Sequence, residues 1–260
     1  MSVLALASAT WSEVRAAAAA GAVAVVPAGS LEQHGPHLPC RTDTALVGAV
    51  AEAALGCLPA GVGAALAPTL WLGASHHHLP FFALSVDERL YADIAVQVGC
   101  ALSGAGFRRV FFLNGHGGNA APLRAAVAEI GRRCPDAIAA CAEYWALARS
   151  GLRALRTTGP GGAAHAGEVE TALMLHVAPG EVRLARARRT VPELPPALVR
   201  DLLDGGPVTL GLPWERLSAD GTLGDPTAAS AEQGQRMFAT CAAAAADAIA
   251  ALARFEPAPV

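Results

Sequence analysis

The sequence predicts an α/β fold with a mostly parallel central sheet, on three observations. Val23, Val25 and Val26 form a β-branched run that breaks into a Gly/Pro-punctuated loop, as a buried strand does at its carboxyl end. Arg109-Val110-Phe111-Phe112-Leu113 is the clearest buried strand, and it passes through Asn114-Gly115-His116-Gly117-Gly118-Asn119 into a helix of about 121–132. Strand, glycine-rich turn and helix in that order make a βα junction of a parallel sheet. Elsewhere, short apolar strands alternate with segments that carry helix-capping signals.

Taken in order, Thr10-Trp11-Ser12-Glu13 is a capping box that opens a short helix running through the alanines to Gly21. The first strand, about 22–27, delivers the loop Gly29-Ser30-Leu31-Glu32-Gln33-His34-Gly35-Pro36-His37-Leu38-Pro39, in which Pro36 and Pro39 restrict the backbone. Asp43 then heads a helix of about 44–55, where the helix dipole also favours a carboxylate. A second strand near 64–67 leads to Trp71 and on to Ser75-His76-His77-His78-Leu79-Pro80-Phe81-Phe82. Three adjacent histidines cannot all point at one atom, so a substrate-contacting or supporting role is favoured for them over ligation. Ser85-Val86-Asp87-Glu88 reads as a capping box for a helix to about Ser103, and 137–142 as a further strand. After a loop at 159–164 come His165-Ala166-Gly167-Glu168-Val169-Glu170-Thr171 and a helix through 172–176. Beyond Gly180 the chain is irregular and Pro-rich until a long alanine-rich helix at about 230–255, whose small face should pack closely on a neighbour. No repeat or linker divides the chain, so residues 1–260 are expected to form one domain.

Composition narrows the function classes. With 260 residues, 53% of them hydrophobic, the chain can bury a sizeable core. A net charge of −3, with no lysine and no basic stripe, argues against nucleic-acid binding. The six cysteines have no CxxC spacing and read as reduced, mostly core residues of a cytoplasmic protein. The N-terminus has no basic n-region followed by an apolar run, and the 16–20 alanine run is too short to span a bilayer, so no membrane association is expected.

The chemistry sits on loops. Glu32, His34 and Asp43 follow one strand, His116 follows another, and His165, Glu168 and Glu170 lie on a third segment. Mixed oxygen and nitrogen donors of this kind suit Zn, Mn or Fe. One mononuclear site needs three or four ligands; six or seven candidates suggest two divalent ions about 3.5 Å apart, with Asp43 as the natural bridge. Such a pair activates water, and a nearby imidazole or carboxylate can carry a proton to a leaving nitrogen. The reaction class is metal-assisted hydrolysis, most simply of a C–N bond. Glu168 and Glu170 would diverge by about 200° on a helix, so only one can face the site. The glycines around His116 form neither a GxxxxGK[ST] nor a GxGxxG pattern, which leaves no phosphate-loop reading.

The three motifs, in this order and spanning about residues 20–240, resemble the creatininase (creatinine amidohydrolase) family. The resemblance implies a three-layer α/β/α single domain, a dinuclear Zn, Mn or Fe site, and homo-oligomers, often hexamers. Carried onto this chain, it gives Glu32 and His116 to one ion and His34 to the other, bridged by Asp43, with His165 in the proton-transfer role. The family's further glutamate ligand, two residues after the histidine, is replaced here by Gly118. Glu170 is the first choice to stand in for it; Glu168 is the second and is otherwise assigned to catalysis. The substrates implied are cyclic amides, formamides or, as the alternative, a short peptide cut at the C-terminal peptide bond of the kind cleaved in mycofactocin maturation. The segments 221–227 and 190–194 resemble that peptidase branch, whereas the histidine run does not. A third reading is a non-catalytic metal-stabilised binding subunit, since fold alone does not secure function.

Overall fold

The computed structural model describes residues 3–257. Its strands are β1 (Val3–Ala5), β2 (Val23–Ala28), β3 (Leu31–Glu32), β4 (Ala64–Leu66), β5 (Ala83–Leu84), β6 (Arg109–Asn114) and β7 (Ile138–Glu143). Its α-helices are α1 (Trp11–Ala19), α2 (Thr42–Gly56), α3 (Glu88–Gly104), α4 (Ala120–Arg133), α5 (Tyr144–Leu147), α6 (Arg149–Leu155), α7 (Glu168–Val177) and α8 (Ala231–Arg254). Strands pair in parallel in the order β1-β4-β2-β6-β7, while β3 and β5 form a separate antiparallel ribbon.

Side-chain alternation on the two central strands builds the layers. Val23, Val25, Phe111 and Leu113 face α2, α7 and α8, while Ala24, Val26, Val110 and Phe112 face α3 and α4. Both faces are therefore apolar, which is why β2 and β6 read as continuous hydrophobic runs, and the fold is a three-layer α/β/α sandwich. From β2 the chain moves outward to β4 on one side and returns to β6 on the other. The carboxyl ends of β2 and β6 thus flank a topological switch point, where open α/β sheets bind ligands.

Most expected elements are present within a residue or two. Thr10 makes the reciprocal capping box with Glu13, and Ser230 accepts from the Gln233 N–H at the start of α8. The capping box expected at Ser85 is not formed: Asp87 caps α3 by accepting from the Leu90 N–H. The Ser85 hydroxyl instead takes the Ser75 N–H at 2.7 Å, tying the histidine run to the start of α3. Cysteines correct the expectation of core placement, since Cys241 is buried, Cys57 exposed and the other four partly covered; all six are free. By length and composition α8 could cross a membrane. Here its stripe of Met237, Cys241, Ala245 and Ile249 is buried in the core. Gly234 sits so close to α7 that a Cβ there would fall 1.8 Å from the Ala172 carbonyl oxygen, which is the close packing its small face predicts.

Candidate metal centre

Each donor reaches the switch point from a different element. Glu32 lies in β3, His34 in the Pro-rich loop behind it, and Asp43 in the first turn of α2. His116 follows β6, held by Asn114, whose side-chain oxygen accepts the His116 N–H and whose amide donates to the His116 carbonyl. Glu170 enters from the first turn of α7. The His116 Nδ1 lies 3.3 Å from Glu32 Oε1 and 2.9 Å from Asp43 Oδ2. The other Asp43 oxygen lies 3.0 Å from His34 Nε2. Donor atoms of His34, Asp43 and Glu170 all lie within 4.8 Å of one another, as do those of Glu32, His34 and His165, and of Glu32, His77 and His116. The structure therefore brings together Glu32, His34, Asp43, His116, His165 and Glu170.

Tautomers can be read from the far side of each ring, because a carbonyl oxygen only accepts. His34 Nδ1 donates to the Glu32 carbonyl at 3.1 Å, His116 Nε2 to the Ala74 carbonyl at 3.2 Å, and His165 Nε2 to the Gln33 carbonyl at 2.8 Å. Each neutral ring then aims a lone pair inward, the arrangement in which a backbone acceptor orients a metal-ligating histidine. Facing them, Glu32 Oε1 and Asp43 Oδ2 are buried without a hydrogen-bond partner, although imidazole nitrogens stand within ion-pair range. Buried carboxylate oxygens left in this state are costly. A divalent cation among them removes that cost, so these residues fit a metal centre.

Electrostatics give the same demand for positive charge. Burial alone would push His34 down, yet Asp43, Glu170 and Glu32 lift it to about 9. Burial likewise opposes charging of His116, but Glu32 and Asp43 hold its pKa well above the usual range. Glu32, whose burial favours the neutral acid, is held well below its usual value by His116 and His78. Glu170 is pushed up to about 7 by burial, with His34 opposing. His165 differs: burial, then His34 and His78, keep it neutral.

Glu168 corrects the sequence reading. It is not brought to the cluster, because its Oε1 accepts the Thr157 N–H (2.7 Å) and hydroxyl (2.8 Å), and its Oε2 accepts the Thr158 N–H (2.9 Å) and hydroxyl. The Gln233 amide completes the shell, so this carboxylate ties the 157–158 turn and α8 to the start of α7. Glu170, two residues on, turns inward, and its Oε2 accepts the N–H of Ala166 at 2.5 Å. Ala166 has φ +52°, a strained conformation for alanine held between His165 and Gly167. Gly118 offers no room for a replacement ligand: a Cβ there would stand 2.1 Å from the Ala74 carbonyl oxygen.

The histidine run divides three ways. His76 Nδ1 meets the Val86 carbonyl at 3.0 Å, His77 lines the cavity and stacks on His116, and buried His78 sets its Nε2 3.2 Å from Glu32 Oε1. His37, from the first loop, points instead at Thr171 Oγ1 (3.0 Å). Trp214 covers the ring cluster, its centroid 4.3 Å from that of His78 and 5.2 Å from that of His165. Sequence reading missed Trp214, which lies in an aperiodic Pro-rich stretch with no signal beyond being a lone aromatic. The two segments 190–194 and 221–227 meet, with Thr190 and Gly224 exchanging backbone hydrogen bonds of 2.8 and 2.7 Å, and the Leu223 N–H donates to the His165 carbonyl. Above the donors lies a cavity of about 700 Å³.

A parallel α/β sheet with imidazoles and carboxylates converging at its switch point defines a hydrolase-type centre able to hold divalent ions. The chain belongs to the creatininase family: the family profile described as Creatinine amidohydrolase matches residues 7–249. It is 35% identical over 242 residues to a mycofactocin precursor peptide peptidase of Mycobacterium tuberculosis, covering 90% of this chain and 86% of that protein. It is 30% identical over 257 residues to a creatinine amidohydrolase of Pseudomonas putida, covering 92% and 94%. A solved creatininase with Mn superposes with a TM-score of 0.76 at 28% identity, covering 95% of this chain and 97% of that one. Another similar structure is a mutant creatininase of Zn-Zn type. The protein is thus a creatininase-family hydrolase.

Proposed function

We propose that this protein hydrolyses a C–N amide bond at a centre of two divalent ions, and that its substrate is a short peptide. The observation that carries the two-ion reading is Asp43, whose two oxygens face different imidazoles, His34 on one side and His116 on the other. Glu32 and His116 would hold one ion and His34 and Glu170 the other, with Asp43 between them. When bound, the ions polarise the substrate carbonyl and supply a hydroxide-like nucleophile at neutral pH.

The protein's own groups then do the rest. His165, kept neutral and donating through Nε2 to the Gln33 carbonyl, has Nδ1 free and 3.6 Å from Glu32 Oε1. It can take at Nδ1 the proton released by the attacking water and give it to the leaving nitrogen as the C–N bond breaks. Trp214, packed over His77, His78 and His165, excludes bulk water from this transfer. A peptide is favoured over a creatinine-sized ring by the cavity, which far exceeds the needs of one small heterocycle. The higher identity to the mycofactocin-type peptidase than to the creatinine amidohydrolase supports the same choice.

Metal analysis of the purified protein should find about two divalent ions per chain. Asp43→Asn and His116→Ala should each lose at least about 100-fold in turnover. Creatinine, N-formyl compounds, lactams and short peptides form the assay panel, and cleavage of peptides is the expected result. One ion per chain, or full turnover by either variant, overturns the dinuclear mechanism; turnover of creatinine but no peptide overturns the substrate class.

A further inference from the structure

Two thiols outside the metal centre lie in contact. Cys100 Sγ, near the end of α3, is 3.2 Å from the Sγ of Cys134, the residue that follows α4. The other four cysteines sit elsewhere: Cys40 in the loop after β3, Cys57 at the end of α2, Cys141 in β7 and Cys241 in α8. The backbone fixes both members of the pair. The Cys134 N–H donates to the Ile130 carbonyl at 2.8 Å, and the Cys134 carbonyl accepts the Ala137 N–H at 2.9 Å. Cys100 is inside the hydrogen-bonded body of α3. Beside the thiols the two helices touch: a Cβ on Gly99 would stand 2.4 Å from Cδ1 of Ile130, one residue before Cys100 and one turn before Cys134. Both cysteines are only partly covered, so a small molecule can reach them.

Two thiols in contact can hold a soft cation or join to each other. A cation needs further donors, and among the described residues no group of donors able to hold an ion includes either thiol. Glu129, the acid one turn before Arg133, is already paired with Arg132 and Arg133. Joining needs much less. A disulfide bond is about 2.05 Å long, so the sulfurs have to close by only about 1.2 Å, within reach of small side-chain rotations. The step balances as an exchange with a small-molecule disulfide. One thiolate attacks it, giving a mixed disulfide and releasing one small thiol. The second thiolate attacks the protein sulfur of that mixed disulfide, forms the internal S–S bond and releases the second small thiol. Two electrons pass to the small disulfide, and the two protein thiol protons end on the released thiols. Burial and the neighbouring thiol raise the Cys100 pKa, against the pull of Arg133. Little thiolate is present at neutral pH, so the pair reacts slowly, as suits a structural link and not a catalytic dithiol.

We propose that Cys100 and Cys134 form a redox-sensitive modification site, which a small-molecule disulfide converts to an internal disulfide that cross-links α3 to α4. Cys134 lies beyond the far end of α4, about 20 Å from the helix head that follows His116, at 1.5 Å per residue. The inference therefore stands apart from the amide-hydrolysis reading. In the test, the metal-loaded full chain is incubated with oxidised glutathione, remaining thiols are alkylated, and unreduced tryptic peptides are read by mass spectrometry. The expected product joins the peptide holding Cys100 to the peptide holding Cys134. A glutathione adduct on exposed Cys57 shows in the same sample that the oxidant has reacted. Cys141 shares a tryptic peptide with Cys134, so the cross-link should be lost in Cys100→Ala and in Cys134→Ala but kept in Cys141→Ala. Closing a loop of about 34 residues should raise Tm on oxidation by about 5–15 °C. That shift is taken between the oxidised and reduced forms of each variant, so any packing loss from the substitution cancels. It should be absent from Cys100→Ala and Cys134→Ala. Separate glutathione adducts on Cys100 and Cys134, a cross-link that survives in Cys134→Ala, or an oxidised protein that melts no higher than the reduced one overturns the proposal.

Discussion

Glu168 and Glu170 show how much a two-residue offset decides. Both are buried acids in the first turn of α7, yet one is closed by five protein donors and the other faces His34 and Asp43. Their alanine variants should therefore fail differently. Glu168→Ala leaves the Thr157, Thr158 and Gln233 donors without an acceptor and should cost about 3 kcal/mol of stability, with metal content per folded chain retained. Glu170→Ala should lose one ion per chain, with little loss of stability relative to the wild type when both are compared metal-free. Denaturant unfolding and metal analysis on the same samples distinguish the outcomes. pH adds a sign. Burial would raise Glu168, but hydrogen bonds from Thr158 and Thr157 hold its folded pKa below the ordinary 4.5. Its contribution is then fully present above about pH 4.5 and is lost as pH falls through the lower folded value. The stability gap between wild type and Glu168→Gln should be constant near neutrality and shrink in acid.

At the scale of elements, α7 is positioned from behind by α8. At Gly234 the two backbones approach so closely that any side chain must push them apart, since the nearest atom is a carbonyl oxygen and not a movable side-chain end. Gly234→Ala should lower stability by about 1–3 kcal/mol, a fall of roughly 2–10 °C in Tm for a chain of this size. Because α7 carries Glu170, the same variant should hold metal less firmly, which gel filtration followed by metal analysis would register. The long apolar elements were legible for physical reasons. Val23–Ala28 and Arg109–Asn114 are buried on both faces and so read as unbroken hydrophobic runs. Legibility failed for β1, β3, β5, α5 and α6, each of 2–7 residues, whose identity comes from pairing and packing rather than local pattern. Around Ser85 two residues competed for one cap, and only the third dimension shows that Ser85 is needed by the Ser75 N–H. The donors were visible because His and Glu beside Gly and Pro stand out from an apolar chain. Which of Glu168 and Glu170 turns inward depends on helix phase. Trp214 becomes informative only when the fold places it over the centre.

Across the whole molecule, the centre joins four parts of the chain: the loop after β2, the start of α2, the turn after β6 and the head of α7. Ions bound there act as a cross-link present only in the folded state, and folding stability must rise with metal activity. At free metal about 100 to 1,000 times the dissociation constant, the gain is about 2.7–4.1 kcal/mol. That corresponds to roughly 5–15 °C in Tm for a protein of this length. Chelation should lower Tm by that amount, and Zn or Mn should restore it, while Asp43→Asn should show only a small remnant of the shift. Protons offer the competing way to balance Glu32 and Asp43, by charging His34 and His116. The two ways predict different pH behaviour. Metal needs neutral rings, so its stabilisation should strengthen as pH rises through the range in which the imidazoles lose their protons. A proton-only cluster would show a Tm indifferent to chelator, and would lose its ion pairs as pH rises through about 9, where His34 gives up its charge. Thermal unfolding with and without chelator between about pH 6 and 9 therefore decides between them.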